Sequence, residues 1–282
     1  MKLVSFRRGD ATAGWGILDG ERVIDCAAVM RGFVDLDAVF QGGALASVAA
    51  AAHTAPVLAT ADLTLHAPLQ RPGKILCVGL NYLAHILEGG RTPSKYPAIF
   101  TRYPASLVGP EEAMIAPKVS ERFDFEGELA FVVGKSCHQV AAEDAMGYVA
   151  GYTAFNDGSI RDYQRHTSQF WPGKNFYKSG AIGPSVVTAD EFGDPAKAHL
   201  RTILNGQEMQ TTPISDLAVN IPQIIAYVSS VLPLEPGDVV ATGTPGGVGT
   251  FREPPIYMKA GDVVEVEISG IGTLRNPILG EG

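Results

Sequence analysis

The segment Phe123–Val133, which reads FDFEGELAFVV, combines a strongly apolar pattern with two acidic residues, Glu126 and Glu128. Its composition is typical of a buried β-strand. Because residues i and i+2 of a strand point to the same face, both carboxylates project together, separated by Gly127. Two like charges in a dry environment repel, and burial raises the cost of each. A hard divalent cation such as Mg²⁺, Mn²⁺ or Ca²⁺ removes that cost, so this segment predicts a metal-dependent enzyme.

The overall composition is that of a soluble globular protein. The chain has 282 residues, of which 46% are hydrophobic and 18% charged, and its formal net charge of −8 argues against nucleic acid or an anionic membrane as the main partner. No segment approaches the ~20 apolar residues of a membrane span, and the N-terminus lacks the apolar run of a signal peptide. Three cysteines, outside any CxxC spacing, favour a reducing compartment. We therefore expect a cytoplasmic protein.

The chain divides into two predicted domains. Residues 1–70 are expected to form a small N-terminal α+β domain, with an alanine-rich helix over Ala44–Ala52. Prolines and glycines in His66–Gly73 mark a boundary, which assigns residues 71–282 to a catalytic domain. In that domain Asn205-Gly206 predicts a hairpin, and Asn220 predicts the N-cap of a helix through Val231. The strands do not alternate regularly with long helices, so a mainly β fold with helices (α+β), forming a roll or barrel, is favoured over a doubly wound sheet.

A third acidic residue belongs with the glutamate pair. Asp157 follows the apolar strand Tyr148–Asn156, where a polar side chain can face a site while its strand stays buried. Three carboxylates suit an octahedral Mg²⁺ or Mn²⁺ ion that keeps open positions for water or substrate oxygens. For any one of these acids alone, a surface acid at a strand end or a salt-bridge partner is the favoured interpretation. Two acids inside an apolar strand favour the metal.

His85 and Glu88 are the candidate general base. They lie in Asn81–Glu88, a predicted short helix, and the i, i+3 spacing puts them on one face, where the glutamate can orient the imidazole. A solvated helix face with a chance pair is the alternative. The glycines that follow, Gly89 and Gly90, are typical of a loosely tethered lid.

Further candidate residues follow the third acid. Arg161 and Gln164 lie within two turns of Asp157, and Lys174 sits in a glycine-bounded loop where it could hold an oxyanion or reach solvent. The glycine-rich turn Thr242–Gly249 does not fit a nucleotide phosphate loop. Its backbone amides, such as that of Gly243, and the Thr244 hydroxyl could bind a small carboxylate.

Taken together, these motifs resemble the fumarylacetoacetate hydrolase family from Lys74 to Pro277. The segments that carry the resemblance are Gly79–His85, Phe123–Ala130, Asn156-Asp157, Arg161–Gln164, Gly173–Phe176 and Gly243–Gly249.

The resemblance implies a β-rich roll, commonly homodimeric, with Mg²⁺ or Mn²⁺ held by Glu126, Glu128 and Asp157. It also implies that His85 and Glu88 are a water-activating dyad on a lid helix. Lys174, Gln164 and Thr244 match positions that orient or stabilise the substrate's oxygens. The original mammalian member has one more aspartate ligand, for which Cys77–Leu80 offers no acid. This chain is therefore similar to the shorter bacterial and mitochondrial relatives, and smaller 2-oxo acids are expected as substrates.

The leading hypothesis is hydrolysis of a carbon–carbon bond in a β-diketo acid of the acylpyruvate type, in aromatic or organic-acid catabolism. His85 would deprotonate water, Lys174 and Gln164 would face the oxyanion, and Arg102 or Thr244 would hold the substrate's carboxylate. Decarboxylation of oxaloacetate, tautomerisation of a 2-oxo acid, or hydration or isomerisation of a dienoic acid would use the same metal site. A metal-stabilised binding module is the alternative outside enzymes, and the presence of a base argues against it.

Overall fold

The computed structural model describes all 282 residues of the chain. Three β-sheets dominate it, and short helices lie around them. The prediction of a sheet-dominated α+β fold is confirmed.

Nineteen strands build the sheets. They are β1 (Lys2–Arg8), β2 (Ala13–Asp19), β3 (Arg22–Ile24), β4 (Val57–Ala59), β5 (Leu63–His66), β6 (Ile75–Gly79), β7 (Ala98–Thr101), β8 (Leu107–Val108), β9 (Met114–Ala116), β10 (Phe123–Asp124), β11 (Gly127–Val133), β12 (Val149–Asn156), β13 (Ser159–Ile160), β14 (Gly180–Thr188), β15 (His199–Leu204), β16 (Gln207–Pro213), β17 (Val239–Ala241), β18 (Val263–Ile268) and β19 (Gly272–Gly280).

Seven α-helices, all short, complete the architecture, and none is long and apolar enough to cross a bilayer. They are α1 (Leu36–Gln41), α2 (Leu45–Ala52), α3 (Leu83–Glu88), α4 (Arg161–Gln164), α5 (Trp171–Lys174), α6 (Ala189–Phe192) and α7 (Ile221–Val231). The 3₁₀ helices are Cys26–Ala28, Thr60–Asp62, Pro104–Ser106, Ala145–Tyr148, Pro195–Lys197, Ile214–Asp216 and Gly249–Phe251.

The twelve-stranded sheet runs in the order β4-β3-β2-β1-β14-β12-β11-β17-β6-β7, with β5 paired to β1 and β8 to β14. Strands from both parts of the chain therefore share one sheet, joined where β1 pairs antiparallel with β14. The five-stranded sheet has the order β16-β15-β18-β19-β9, and β10 pairs with β13. The domain boundary near residue 70 stays a prediction.

Strand directions bring the functional segments to one edge of the large sheet. β11 is antiparallel to both β12 and β17, and β6 is parallel to β17. The start of β11 therefore lies beside the ends of the other three strands. Glu128 is at that start, Asp157 follows β12, the turn at Gly243 follows β17, and the lid segment follows β6.

The hydrophobic core lies on both faces of the large sheet. One cluster fills the space towards the five-stranded sheet and α7, and includes Leu129, Phe131, Val266 and Ile224. The second packs the other face against α1 and α2, through residues such as Phe40. The central strand β11 is buried along its whole length, which explains its continuous apolar run.

Local predictions agree with the structure except at two places, one of which is Lys174, predicted in a loop but found at the end of α5. Asn220 caps α7 with a complete capping box that includes Gln223, and β15 and β16 form the hairpin at Asn205-Gly206. The predicted strand over Phe123–Val133, however, divides into β10 and β11. Glu126 lies in the break, because its backbone N–H bonds the Asn156 side chain and its carbonyl accepts the Asp157 N–H.

Candidate active site

Three buried carboxylates form the base of the site, and we call Glu126, Glu128 and Asp157 the carboxylate floor. One oxygen atom from each lies within 4.8 Å of the others. They are brought together although Glu126 has left the strand, because Asp157 pairs with it across the break. Packing requires a glycine at Gly127, between the two glutamates, because a Cβ there would lie 2.0 Å from Thr202 Oγ1.

Three buried cations contact this floor. Lys174 Nζ bonds Glu126 Oε2 and Asp157 Oδ2, each at 2.6 Å. Arg161 Nη1 donates to Glu126 Oε1 at 2.6 Å, and Arg102 Nη1 donates to Asp157 Oδ1 at 2.6 Å. All are charge-assisted bonds in a dry environment, where a missing partner would be costly.

A fourth buried acid, Asp124, belongs to the same network through Arg161. Asp124 Oδ2 accepts from Arg161 Nε at 2.8 Å, and its two oxygens also accept the backbone N–H groups of Gly249 and Thr250. Asp124 is fully buried. It therefore fixes the guanidinium of Arg161 and ties it to the glycine-rich turn.

The charges do not balance in this cluster, because four buried carboxyl groups face three buried cations. Glu128 is the acid without a cationic partner, and it accepts only the Gly243 N–H, at 2.8 Å. Burial raises the pKa of Glu128 well above its ordinary value, and the charges of Asp157 and Glu126 raise it further. Burial would also raise the pKa of Glu126, but the charges of Lys174 and Arg161 lower it to about 2.

This donor set fits a divalent cation. Carboxylate oxygens are the ligands that Mg²⁺ and Mn²⁺ prefer, and the floor offers three of them in one buried cluster. A cation beside Glu128 would also supply the positive charge that the protein itself lacks there. Glu126, Glu128 and Asp157 could therefore hold the ion.

The lid, α3 at Leu83–Glu88, carries the predicted base. His85 Nδ1 lies 2.7 Å from Glu88 Oε1, and Glu88 Oε2 accepts the Gly247 N–H at 2.8 Å. The aromatic ring of Phe251 packs beside the imidazole, with ring centroids 6.1 Å apart. The glycine-rich turn thus holds the lid against the site through its carboxylate.

A single cavity of about 430 Å³ joins the floor to the lid. His85, the three floor carboxylates, Arg161, Gln164, Lys174 and Thr244 all line it. The remaining lining residues are Val78, Gly79, Leu80, Gly89, Arg91, Phe100, Arg165, Thr167, Ser168, Phe170, Thr250 and Phe251.

Two of the sequence-predicted substrate contacts do not line this cavity. Arg102 is buried behind Asp157 and also bonds Ser106, Gly158 and Ser179. The Gly243 N–H is directed to Glu128. Both groups position floor carboxylates in this structure.

The other predicted residues face the cavity with part of their bonding capacity already used. Gln164 Oε1 accepts from Arg161, and Thr244 Oγ1 donates to the Gly127 carbonyl and accepts from Gln210. Sequence reasoning missed Asp124 and Gln210. Asp124 belongs to the same acidic segment as the glutamates, but only the structure shows that its partner is Arg161, from a distant part of the chain.

The chain is similar to known proteins along nearly its whole length. A family model described as fumarylacetoacetate hydrolase, C-terminal, matches residues 74–279. The chain is 37% identical to a mitochondrial oxaloacetate tautomerase of Xenopus laevis, and the similarity covers 99% of this chain and 90% of the relative.

Two solved structures are similar over the full length of both chains. A fumarylacetoacetate hydrolase from the psychrophilic Exiguobacterium antarcticum is 34% identical, with a TM-score of 0.90. A maleylpyruvate hydrolase from Sphingobium sp. SYK-6, solved in complex with manganese(II) ion and pyruvate, is 27% identical, with a TM-score of 0.82.

Proposed function

This chain belongs to the fumarylacetoacetate hydrolase family, and we propose that it is a divalent-metal-dependent tautomerase of small 2-oxo acids such as oxaloacetate. The observation that carries the proposal is the content of one cavity. A carboxylate cluster short of positive charge lies there together with a single imidazole whose orientation is fixed by Glu88. The resemblance to an oxaloacetate tautomerase over 99% of the chain supports the same reaction.

The floor would supply the Lewis acid. Bound by Glu126, Glu128 and Asp157, Mg²⁺ or Mn²⁺ would polarise the 2-oxo group and make the neighbouring C–H bonds more acidic. The maleylpyruvate hydrolase relative contains both manganese and pyruvate, a 2-oxo acid.

The lid would move the proton. An ionised Glu88, which accepts both from His85 and from the Gly247 N–H, favours a proton on Nδ1 of the imidazole. Nε2 then carries the lone pair of a general base. In the keto-to-enol direction His85 would take a proton from the carbon next to the ketone, and the resulting imidazolium would deliver a proton to the former ketone oxygen. The reverse reaction would run the same two transfers backwards.

Donors around the cavity would orient the substrate's oxygens. Nη2 of Arg161 is buried and has no hydrogen-bond partner in the protein, so it is available to a ligand. Gln164 uses its oxygen on Arg161, which leaves its amide N–H groups to donate. We assign Lys174 to the same oxygens, through the N–H that bonds the Asp157 carbonyl at only 3.3 Å. Thr244, whose hydroxyl hydrogen is bound to the Gly127 carbonyl, is retained with Arg102 and Gly243 as a support of the floor.

Hydrolysis of acylpyruvates is the second candidate, supported by the similarity to a maleylpyruvate hydrolase. The same His85 would then deprotonate water instead of carbon. The cytoplasmic location and the homodimer stay predictions.

The test uses the purified protein with added Mg²⁺ or Mn²⁺. Conversion of enol-oxaloacetate to its keto form is followed by ultraviolet absorbance, release of pyruvate from oxaloacetate reports decarboxylation, and NMR follows acetylpyruvate for acetate and pyruvate. Cation-dependent acceleration of the first reaction is the expected result. If acetylpyruvate gives acetate and pyruvate but enol-oxaloacetate is not converted, the protein is a hydrolase and not a tautomerase. If oxaloacetate gives pyruvate without faster conversion of its enol form, the protein is a decarboxylase.

A further inference from the structure

Two arginines at the mouth of the cavity have no function in the network described so far. Arg91 and Arg165 both line the cavity and are exposed, and neither side chain takes part in any salt bridge or hydrogen bond of the structure. Arg161 and Lys174, in contrast, are buried and bound to acids. The mouth therefore carries two positive charges that no protein group neutralises.

Each arginine is attached to an element of the site. The Arg91 backbone N–H bonds the Ile86 carbonyl and ends the lid helix, with Gly90 at φ +65°. The Arg165 backbone N–H bonds the Asp162 carbonyl at the end of α4, the helix that carries Arg161 and Gln164. One positive charge is thus attached to the end of the helix that carries His85, and the other to the end of α4.

The rest of the lining contains no other exposed cation for a second anionic group, because Arg161 and Lys174 are buried against the floor. The only acids in the lining are the three floor carboxylates. Apolar surface makes up another part of the lining, and burying a charge against it is unfavourable because the charge loses its water. This surface comes from Leu80, Phe100, Phe170 and Phe251.

We propose that Arg91 and Arg165 together bind a carboxylate at the end of the substrate remote from its 2-oxo group, so that the enzyme selects dicarboxylic 2-oxo acids. This assignment rests on the function proposed above and names its substrate class. Guanidinium groups suit it, because they bind carboxylates with paired N–H donors and stay charged. A carboxylate held by both would join the lid to α4 and keep His85 over the reacting carbon.

The experiment compares oxaloacetate with 2-oxobutanoate, in which a methyl group replaces the second carboxylate. Enzyme-dependent exchange of the C3 hydrogens with deuterium, followed by NMR in the presence of Mg²⁺, measures the same proton transfer for both. We expect the ratio of kcat/KM for oxaloacetate over 2-oxobutanoate to fall at least tenfold in Arg91→Gln and in Arg165→Gln. Arg91→Lys and Arg165→Lys should restore part of it.

Arg31→Gln is the matched control, since Arg31 is exposed, unpaired and outside the cavity, and it should leave the ratio unchanged. The Arg91 assignment has a further readout, because loss of the lid contact should lower kcat as well as raise KM. Equal losses on both substrates, or an unchanged ratio, would overturn the inference. If the wild-type protein accelerates exchange in neither acid, the proposed function itself fails, which separates the two outcomes.

Discussion

The carboxylate floor and the lid serve one cavity but are held in opposite ways. Every floor acid is buried, and two of the three are ion-paired to cations from other parts of the chain. The lid is a six-residue helix with Leu83 and Leu87 exposed, anchored through the bond between Glu88 and the Gly247 N–H. The floor is therefore part of what holds the fold together, whereas the lid places a base at small structural cost. Substitutions should separate these roles.

The largest effect is expected at Asp157. Asp157→Ala leaves the buried charges of Lys174 and Arg102 without their shared acid, which should lower the free energy of unfolding by about 3–5 kcal/mol and abolish activity. Urea unfolding measures it. Asp144→Asn, at an exposed aspartate without side-chain hydrogen bonds, is the control and should stay within about 0.5 kcal/mol of wild type. A fully stable Asp157→Ala would show that the floor does not support the fold.

His85→Ala should show the reverse pattern. Loss of the base is expected to lower kcat by about 10²–10⁴, while the free energy of unfolding changes by about 1 kcal/mol or less. Steady-state kinetics and urea unfolding on the same preparation measure both. His53→Ala, at an exposed histidine, should change neither. Full activity in His85→Ala would remove the lid from the mechanism.

Glu88→Gln, also in the lid, should lower activity by less than His85→Ala. An amide can accept the Nδ1–H bond but has no charge to hold the proton there, so we expect kcat to fall about 10–100-fold. Urea unfolding on the same preparation distinguishes this from misfolding, because Glu88→Gln should keep a free energy of unfolding within about 1 kcal/mol of the wild-type value. Full activity in Glu88→Gln would contradict the dyad.

The smallest effect concerns the pH dependence of the metal-free floor. The folded-state pKa of Glu128 is raised above its ordinary value of 4.5, so between that value and the raised pKa the folded state holds a proton that the unfolded chain has released. Stability should therefore fall as pH rises through this window, by at most about 1.4 kcal/mol per pH unit. Glu128→Gln should flatten the decline in urea unfolding with chelator present. An equal slope in both proteins would argue against an uncompensated Glu128.

The sequence allowed the local features of the site to be predicted. Glu126, Glu128 and Asp157 stand out because acids are rare in apolar strands, and the His85–Glu88 pair follows from helical spacing. The three acids and His85 line the same cavity, and Glu88 contacts His85. The fold class also followed from the pattern of strands and turns.

Long-range pairing could not be predicted in the same way. In the sequence, an arginine that contacts a ligand cannot be told from one that contacts a buried acid. Only the structure shows that Arg102, which follows β7, bonds the carboxylate of Asp157. The break between β10 and β11 depends on Asn156 and Asp157 of a distant segment. Arg91 and Arg165 belong to no sequence motif, and only the structure shows that both line the cavity.

Titration of Mg²⁺ or Mn²⁺ into the metal-free protein, followed by isothermal calorimetry, tests the central claim, that the floor lacks one positive charge at Glu128. Wild-type protein should bind one ion per chain and unfold at a higher temperature when the ion is present. Glu128→Gln should stay folded but bind the ion much more weakly and gain little stability from it. Equal binding by the two proteins, or none by the wild type, would contradict the account.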